Sequence, residues 1–336
     1  MSIMLGNTLY SMTNEWLAGQ YTLSSLIDEV GRRGLGPGIE LIGFQSLRGF
    51  PFKVSDDDQR TLLDAIDRNG LVPTSLASNA DIAIRADQWM DATRSVEYMR
   101  PQIELASRLG FPVVRTQIGL TPEVLEKVEP IAAKAGVKLG MEVHAPEGPN
   151  TPKVVATREA YAKIDSEYLG FVPDFSSCMR AIPVGMLDKL RRDGLSEAGV
   201  EALQVAWEAP GAPFQRYGQF AAQCADMGEP ELPVGFARLV FTMFGRESLE
   251  DWREVLPQVV HIHGKFYDVD EDLTSPSIDY EGIMRVFSEL DHQVSMSTEW
   301  EGHAYLDADE QDAFDMVAKH HAMCRRFLGA EAVAPA

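Results

Sequence analysis

Glu142 and His144 stand two residues apart at the end of the apolar run Lys138–His144. Side chains alternate faces along a strand, so the carboxylate and the imidazole are expected to project the same way at its C-terminal end. Three further runs close on residues of the same kind: Asp174 in LGFVPDFS, His263 in VVHIHGKF and Glu299 in the stretch Gln293–Glu299. Three carboxylates and one imidazole form a hard to borderline donor set. It suits Mn²⁺, Mg²⁺ or Co²⁺ and leaves coordination positions for water and a substrate oxygen. His261 and His263 face the same side of one strand, and the one nearer the C-terminal end is nearer a pocket there. His263 is therefore the expected ligand, with His261 one layer deeper.

Such a set works only if the fold delivers four strand ends to one place. The chain alternates short apolar or β-branched runs with amphipathic helical patterns closed by Gly, the pattern of a parallel sheet under covering helices. Strands are expected at Ile3–Leu5, Gly38–Phe44, Leu71–Ser78, Pro112–Gly119, Lys138–His144, Leu169–Ser176, Val259–Phe266 and Gln293–Glu299. The intervening helices include Leu23–Arg33, a segment from 88 to 109, Pro122–Ala135, Thr157–Ile164 and Tyr280–Leu290. Eight strands suit a closed (β/α)8 TIM barrel over residues 1–330, because closure removes the edges an open sheet must protect. In such barrels the C-terminal strand ends converge on one pocket. The repeat breaks at 180–257, which reads as a helical insertion on the catalytic face, a lid or a subunit contact, with helices at Val184–Arg192, Ser196–Glu208 and Val234–Phe244.

Composition removes several partner classes. The formal charge of −21 opposes binding to phosphate backbones, which need dense Lys and Arg clusters. No apolar run reaches membrane-spanning length, and the N-terminus lacks a signal-peptide pattern, so the expected address is cytoplasmic without membrane attachment. Cys178, Cys224 and Cys324 show no metal or disulfide spacing and read as free thiols.

Set in MEVH, PDFS, HIHGK and STEWEG, the residues Glu142, Asp174, His263 and Glu299 resemble the metal-binding quartet of the xylose isomerase-like, sugar phosphate isomerase/epimerase superfamily of TIM barrels. The resemblance covers nearly the whole chain, with 180–257 as its main departure. In the ketose 3-epimerases of that superfamily the first two ligands are similarly spaced, and the glutamates matched by Glu142 and Glu299 also exchange protons with substrate. Those enzymes have a much shorter interval between the counterparts of Asp174 and His263. The α subunits of C-glycoside deglycosidases look more similar: they have this length, keep the quartet, carry a histidine at the position of His144, and work with a small β subunit.

The resemblance implies a metal-dependent lyase cleaving the C–C bond of 3-keto C-glycosides, in a hetero-oligomer, with Mn²⁺ (or Mg²⁺ or Co²⁺) on the quartet. Glu142 or Glu299 would move the C2 proton, His144 would exchange a proton with the phenolic aglycone, and Lys265 would steady the enolate. Arg115, Gln117, Trp300 and His303 are the candidates for holding sugar or aglycone. The alternative is a metal-dependent keto-sugar isomerase or epimerase, which uses the same proton abstraction without a leaving group.

Overall fold

Eight apolar runs become strands because nearly every residue in them is taken out of water: β1 Ile3–Thr8, β2 Gly38–Ile42, β3 Val72–Ala77, β4 Val113–Thr116, β5 Lys138–Val143, β6 Leu169–Pro173, β7 Ile262–Phe266 and β8 Val294–Trp300. A computed structural model describes residues 3–79, 83–85, 88–117, 119–307 and 309–328. The strands pair in parallel in the order β6-β5-β4-β3-β2-β1-β8-β7. Parallel bridges Phe171–Val259 and Asp174–His263 bring the last of these back to the first, so the sheet is a nearly closed barrel. The expected TIM barrel is what the chain forms.

Local chemistry sets the helix boundaries. Thr22 and Ser25 make a reciprocal capping box at the start of Leu23–Arg32. Ser55 caps Asp56–Arg68, whose first turn carries three aspartates against the positive end of the helix dipole. Thr121 caps Pro122–Ala135, which ends on Gly136 at φ 67°, a left-handed conformation that glycine adopts without a Cβ clash. The segment expected as one helix from 88 to 109 instead divides. Gln88–Trp89 pairs antiparallel with Ala83–Arg85, and the helix runs over Ala92–Arg108 once Asp91 caps it.

Between β6 and β7 the described helices are Val184–Arg192, Glu197–Glu208, Pro213–Met227, Glu231–Phe236 and Arg238–Met243. Trp207, Phe220, Phe241 and Phe244 are buried there, Trp207 Nε1 donates to the Phe244 carbonyl at 2.8 Å, and the segment is continuous with the apolar core of the barrel. The Pro213–Met227 helix adds to the helices expected there, with Pro213 at its first turn and Gly228 at its end. None of the described helices is long and apolar enough to cross a membrane.

Close packing inside the barrel gives one direct test. A Cβ on Gly140 of β5 would lie 2.6 Å from Val172 Cγ2 and 2.9 Å from Val260 Cγ2. Gly140→Ala is expected to cost about 1–3 kcal/mol through overpacking, read as a lower denaturant midpoint at unchanged slope.

Candidate functional site

The quartet converges. Glu142 ends β5, Asp174 follows β6, His263 lies in β7 and Glu299 in β8, and their donor atoms all fall within 4.8 Å of one another. His263 Nδ1 lies 2.6 Å from Glu142 Oε1, 2.8 Å from Glu299 Oε2 and 3.9 Å from Asp174 Oδ2. Asp174 Oδ2 is buried without a hydrogen-bond partner, and the buried Glu299 Oε2 meets the His263 nitrogen alongside Glu142 Oε1. Unsatisfied anionic oxygens away from water are expensive. A divalent cation at the point they share would satisfy them, so this donor set fits a metal.

Charge balance points the same way. Glu40, Glu142, Asp174, Glu299 and Glu301 are five buried carboxylates, faced, among the described residues, by two buried permanent cations, Arg115 and Lys265. Register explains one pairing: Glu299 of β8 lies beside Lys265 of β7. Lys265 Nζ then donates to Glu299 Oε1 and Glu301 Oε2, both at 2.8 Å, and lies 3.4 Å from Asp174 Oδ2. Arg115 on β4 sits 3.7 Å from Glu142.

These contacts move the acidities apart. Burial alone would push the Glu142 carboxyl up, but Arg115 and His263 outweigh it and hold that carboxyl well below the usual range. Glu299 is likewise held down against burial, by Lys265 and His263. Asp174 goes the other way, because burial and the neighbouring carboxylates exceed the pull of Lys265 and His144. Lys265 stays charged despite burial because Asp174, Glu299 and Glu301 surround it.

His144 lies just past β5, half-buried. Its Nδ1–H donates to the Ala145 carbonyl at 2.6 Å, which leaves Nε2 as the nitrogen available for proton transfer. Burial opposes its charge, yet Asp174, a hydrogen bond to Glu301, and Glu142 raise the imidazole to about 9. The ring therefore carries a proton at neutral pH. Tyr10 and His303 share its partial exposure and meet edge to face at 4.8 Å. These three rings form the accessible side of an otherwise buried cluster.

The remaining sequence candidates are placed less centrally. Trp300 is fully buried, with its Nε1 donating to the Tyr267 carbonyl at 3.2 Å and its ring packed beside His303. Gln117 lies exposed just beyond β4. His261 is one layer deeper than His263, as expected, 5.6 Å away ring to ring.

Sequence reasoning missed Glu40, Tyr10, Tyr267 and Glu301. Glu301 gathers Lys265, the Tyr10 hydroxyl at 3.1 Å and the Tyr267 hydroxyl at 3.3 Å. Glu40 was marked by a lone charge in the middle of GIELI, an otherwise apolar strand. Glu301 repeats Glu299 at a spacing of two, on the same face of an extended chain.

A family model described as "Xylose isomerase-like TIM barrel" matches residues 35–320. A C-glycoside deglycosidase alpha subunit from Arthrobacter globiformis is 39% identical over 335 residues, covering 99% of this chain and 94% of that protein. A 3'-dehydrocarminate deglycosidase alpha subunit from a Microbacterium species is 34% identical over 337 residues, covering 97% and 95%. Among solved structures, a D-psicose 3-epimerase with D-tagatose, from Clostridium cellulolyticum H10, superimposes with a TM-score of 0.60 at 11% identity. That match spans 97% of this chain and 98% of the other, a likeness of fold.

Proposed function

Since this chain belongs to the xylose isomerase-like TIM-barrel family and, within it, to the C-glycoside deglycosidase α subunits, we propose that it is the catalytic subunit of a metal-dependent lyase releasing the aglycone of 3-keto C-glycosides. The observation that carries this reading is the buried quartet with the imidazole of His144 at its partly exposed side. Glu142, Asp174, His263 and Glu299 would hold the metal, with Mn²⁺ the proposed ion. A bound divalent cation would supply Lewis acidity that lowers the energy of charge developing on the C3 oxygen.

A C3 carbonyl acidifies the C2 proton and places the aglycone, on C1, in the β position. Glu142 or Glu299 takes the C2 proton. The C1–aglycone bond then breaks, its electron pair passing to the aglycone carbon, and the sugar leaves as a 1,2-unsaturated 3-ketone. His144 supplies a proton to the departing phenolic aglycone. Lys265, held between Glu299 and Glu301, places a fixed positive charge beside the enolate. Arg115 and His303 orient sugar or aglycone; Gln117 and Trp300 act at longer range.

The relatives are named alpha subunits, which supports a small β subunit here too. The 180–257 segment exposes Phe214 and Leu232, consistent with a subunit contact or lid on the single barrel domain. Three buried free cysteines suit a cytoplasmic address. Incubating the chain with Mn²⁺ and a 3-keto C-glycoside, with and without a co-expressed small subunit, is expected to give free aglycone by chromatography. Turnover of a free ketose with no aglycone under either condition would replace this reading by an isomerase or epimerase.

A further inference from the structure

Among the described residues, Glu40 is a buried carboxylate of the barrel strands that lies outside the quartet. Glu40, in the middle of β2, is fully buried, and its Oε2 lies 3.1 Å from His263 Nε2 and 2.9 Å from His261 Nε2. Ser297 Oγ donates to the same oxygen at 3.2 Å. His261 Nδ1 is in turn met by Ser295 Oγ at 2.7 Å. The two nitrogens of His263 thus face opposite ways, Nδ1 to the quartet and Nε2 to Glu40. An apolar side chain would fill this position without the desolvation penalty of a carboxylate, so packing alone does not account for it.

We propose that Glu40 is a positioning residue for the metal centre, fixing the ring plane and tautomer of His263 from behind. With Nε2–H donating to Glu40, the lone pair of the neutral ring is on Nδ1, the nitrogen that faces Glu142, Asp174 and Glu299. The carboxylate is held in turn by the Ser297 hydroxyl and by His261, whose Nε2–H donates to it and whose Nδ1 then accepts from the Ser295 hydroxyl. This row, running from Ser295 through His261 and Glu40 to His263, spans the barrel beneath the pocket. Glu40 itself meets the quartet through His263 Nε2, on the side of the ring away from Glu142 and Glu299. The inference rests on the quartet holding a cation and not on which substrate is turned over.

Glu40, His261 and His263 also lie close enough together to be considered as ligands of a second ion. The contacts at 2.9 and 3.1 Å have hydrogen-bond length, and a cation on Nε2 as well as Nδ1 would need a doubly deprotonated ring. One equivalent of metal per chain is therefore expected.

The test uses the full chain, stripped and reloaded with Mn²⁺ or Co²⁺, with affinity read by competition against a chromophoric chelator and without substrate. Glu40→Gln is expected to weaken metal binding by about 10–100-fold and to shift the visible absorption of the Co²⁺ form, because the imidazole donor is re-aimed. A purely structural role would lower thermal stability without moving that spectrum. Should the glutamine variant fail to fold, Ser297→Ala removes one anchor of the carboxylate and is expected to change affinity and spectrum in the same direction by less. A folded Glu40→Gln chain with affinity within about threefold of the original and an unchanged Co²⁺ spectrum would overturn the proposal. So would two equivalents of metal in the unsubstituted chain with one lost on substitution.

Discussion

Glu142→Gln is expected to lose both tight metal binding and aglycone release, with activity falling about 10²–10⁴-fold even at saturating Mn²⁺. The two losses separate by titration. In its proposed role as a ligand, Glu142 would contribute one of three negative charges facing the cation, and excess Mn²⁺ is expected to refill the site. As a proton acceptor it cannot be replaced by an amide, which has no basic oxygen, so the rate does not recover when occupancy does. The change adds no volume, and a buried amide in place of a carboxylate relieves repulsion from Asp174 and Glu299 while weakening the hold on Arg115 at 3.7 Å. A cooperative unfolding transition is therefore expected to remain. Metal content by elemental analysis, followed by rate against Mn²⁺ concentration, checks the expectation. Intact activity and metal content in the variant would remove Glu142 from the site.

The barrel and the quartet were legible in the sequence for a common reason. A parallel strand buried on both faces must be apolar, so a carboxylate or imidazole at its C-terminal end stands out, and the fold sends all such ends to one place. Asp174, His263 and Glu299 were readable in this way, and so was the deeper placement of His261. Where the reading stopped, the signal was of another kind. Glu40 sits in mid-strand rather than at an end, and its meaning depends on His263, more than two hundred residues away in the chain. Tyr10 belongs to the turn after β1, and only the folded barrel brings its hydroxyl to Glu301. The helix Pro213–Met227 went unread because its exposed Phe214 and sparse buried positions blur the 3.6-residue period. The antiparallel pair Ala83–Arg85 and Gln88–Trp89 is too short to carry an alternating pattern. For Glu40, Tyr10 and the two short strands the missing information lay in a long-range contact or in a segment too short to show a period.

His144→Ala is expected to uncouple the two halves of the reaction. The substitution leaves the four metal-binding side chains in place, so Mn²⁺ content stays near that of the unsubstituted chain. Glu142 and Glu299 still meet C2, so the C2 proton of a 3-keto C-glycoside continues to exchange with deuterium from solvent. Bond cleavage, however, needs a proton for the departing aglycone, and the group that carries one at neutral pH is gone. Aglycone release is expected to fall about 10²–10⁴-fold, the usual worth of a positioned acid, while exchange at C2 overtakes it. Deuterium incorporation by mass spectrometry and aglycone release by chromatography give both rates from one incubation. Release at the unsubstituted rate would exclude His144 as the acid, and equal loss of exchange and release with metal intact would assign it to the C2 proton instead. An isomerase or epimerase reprotonates carbon from its own glutamates and has no aglycone to protonate. A release-specific defect in His144→Ala would therefore tie the histidine beside Glu142 to expulsion of a leaving group.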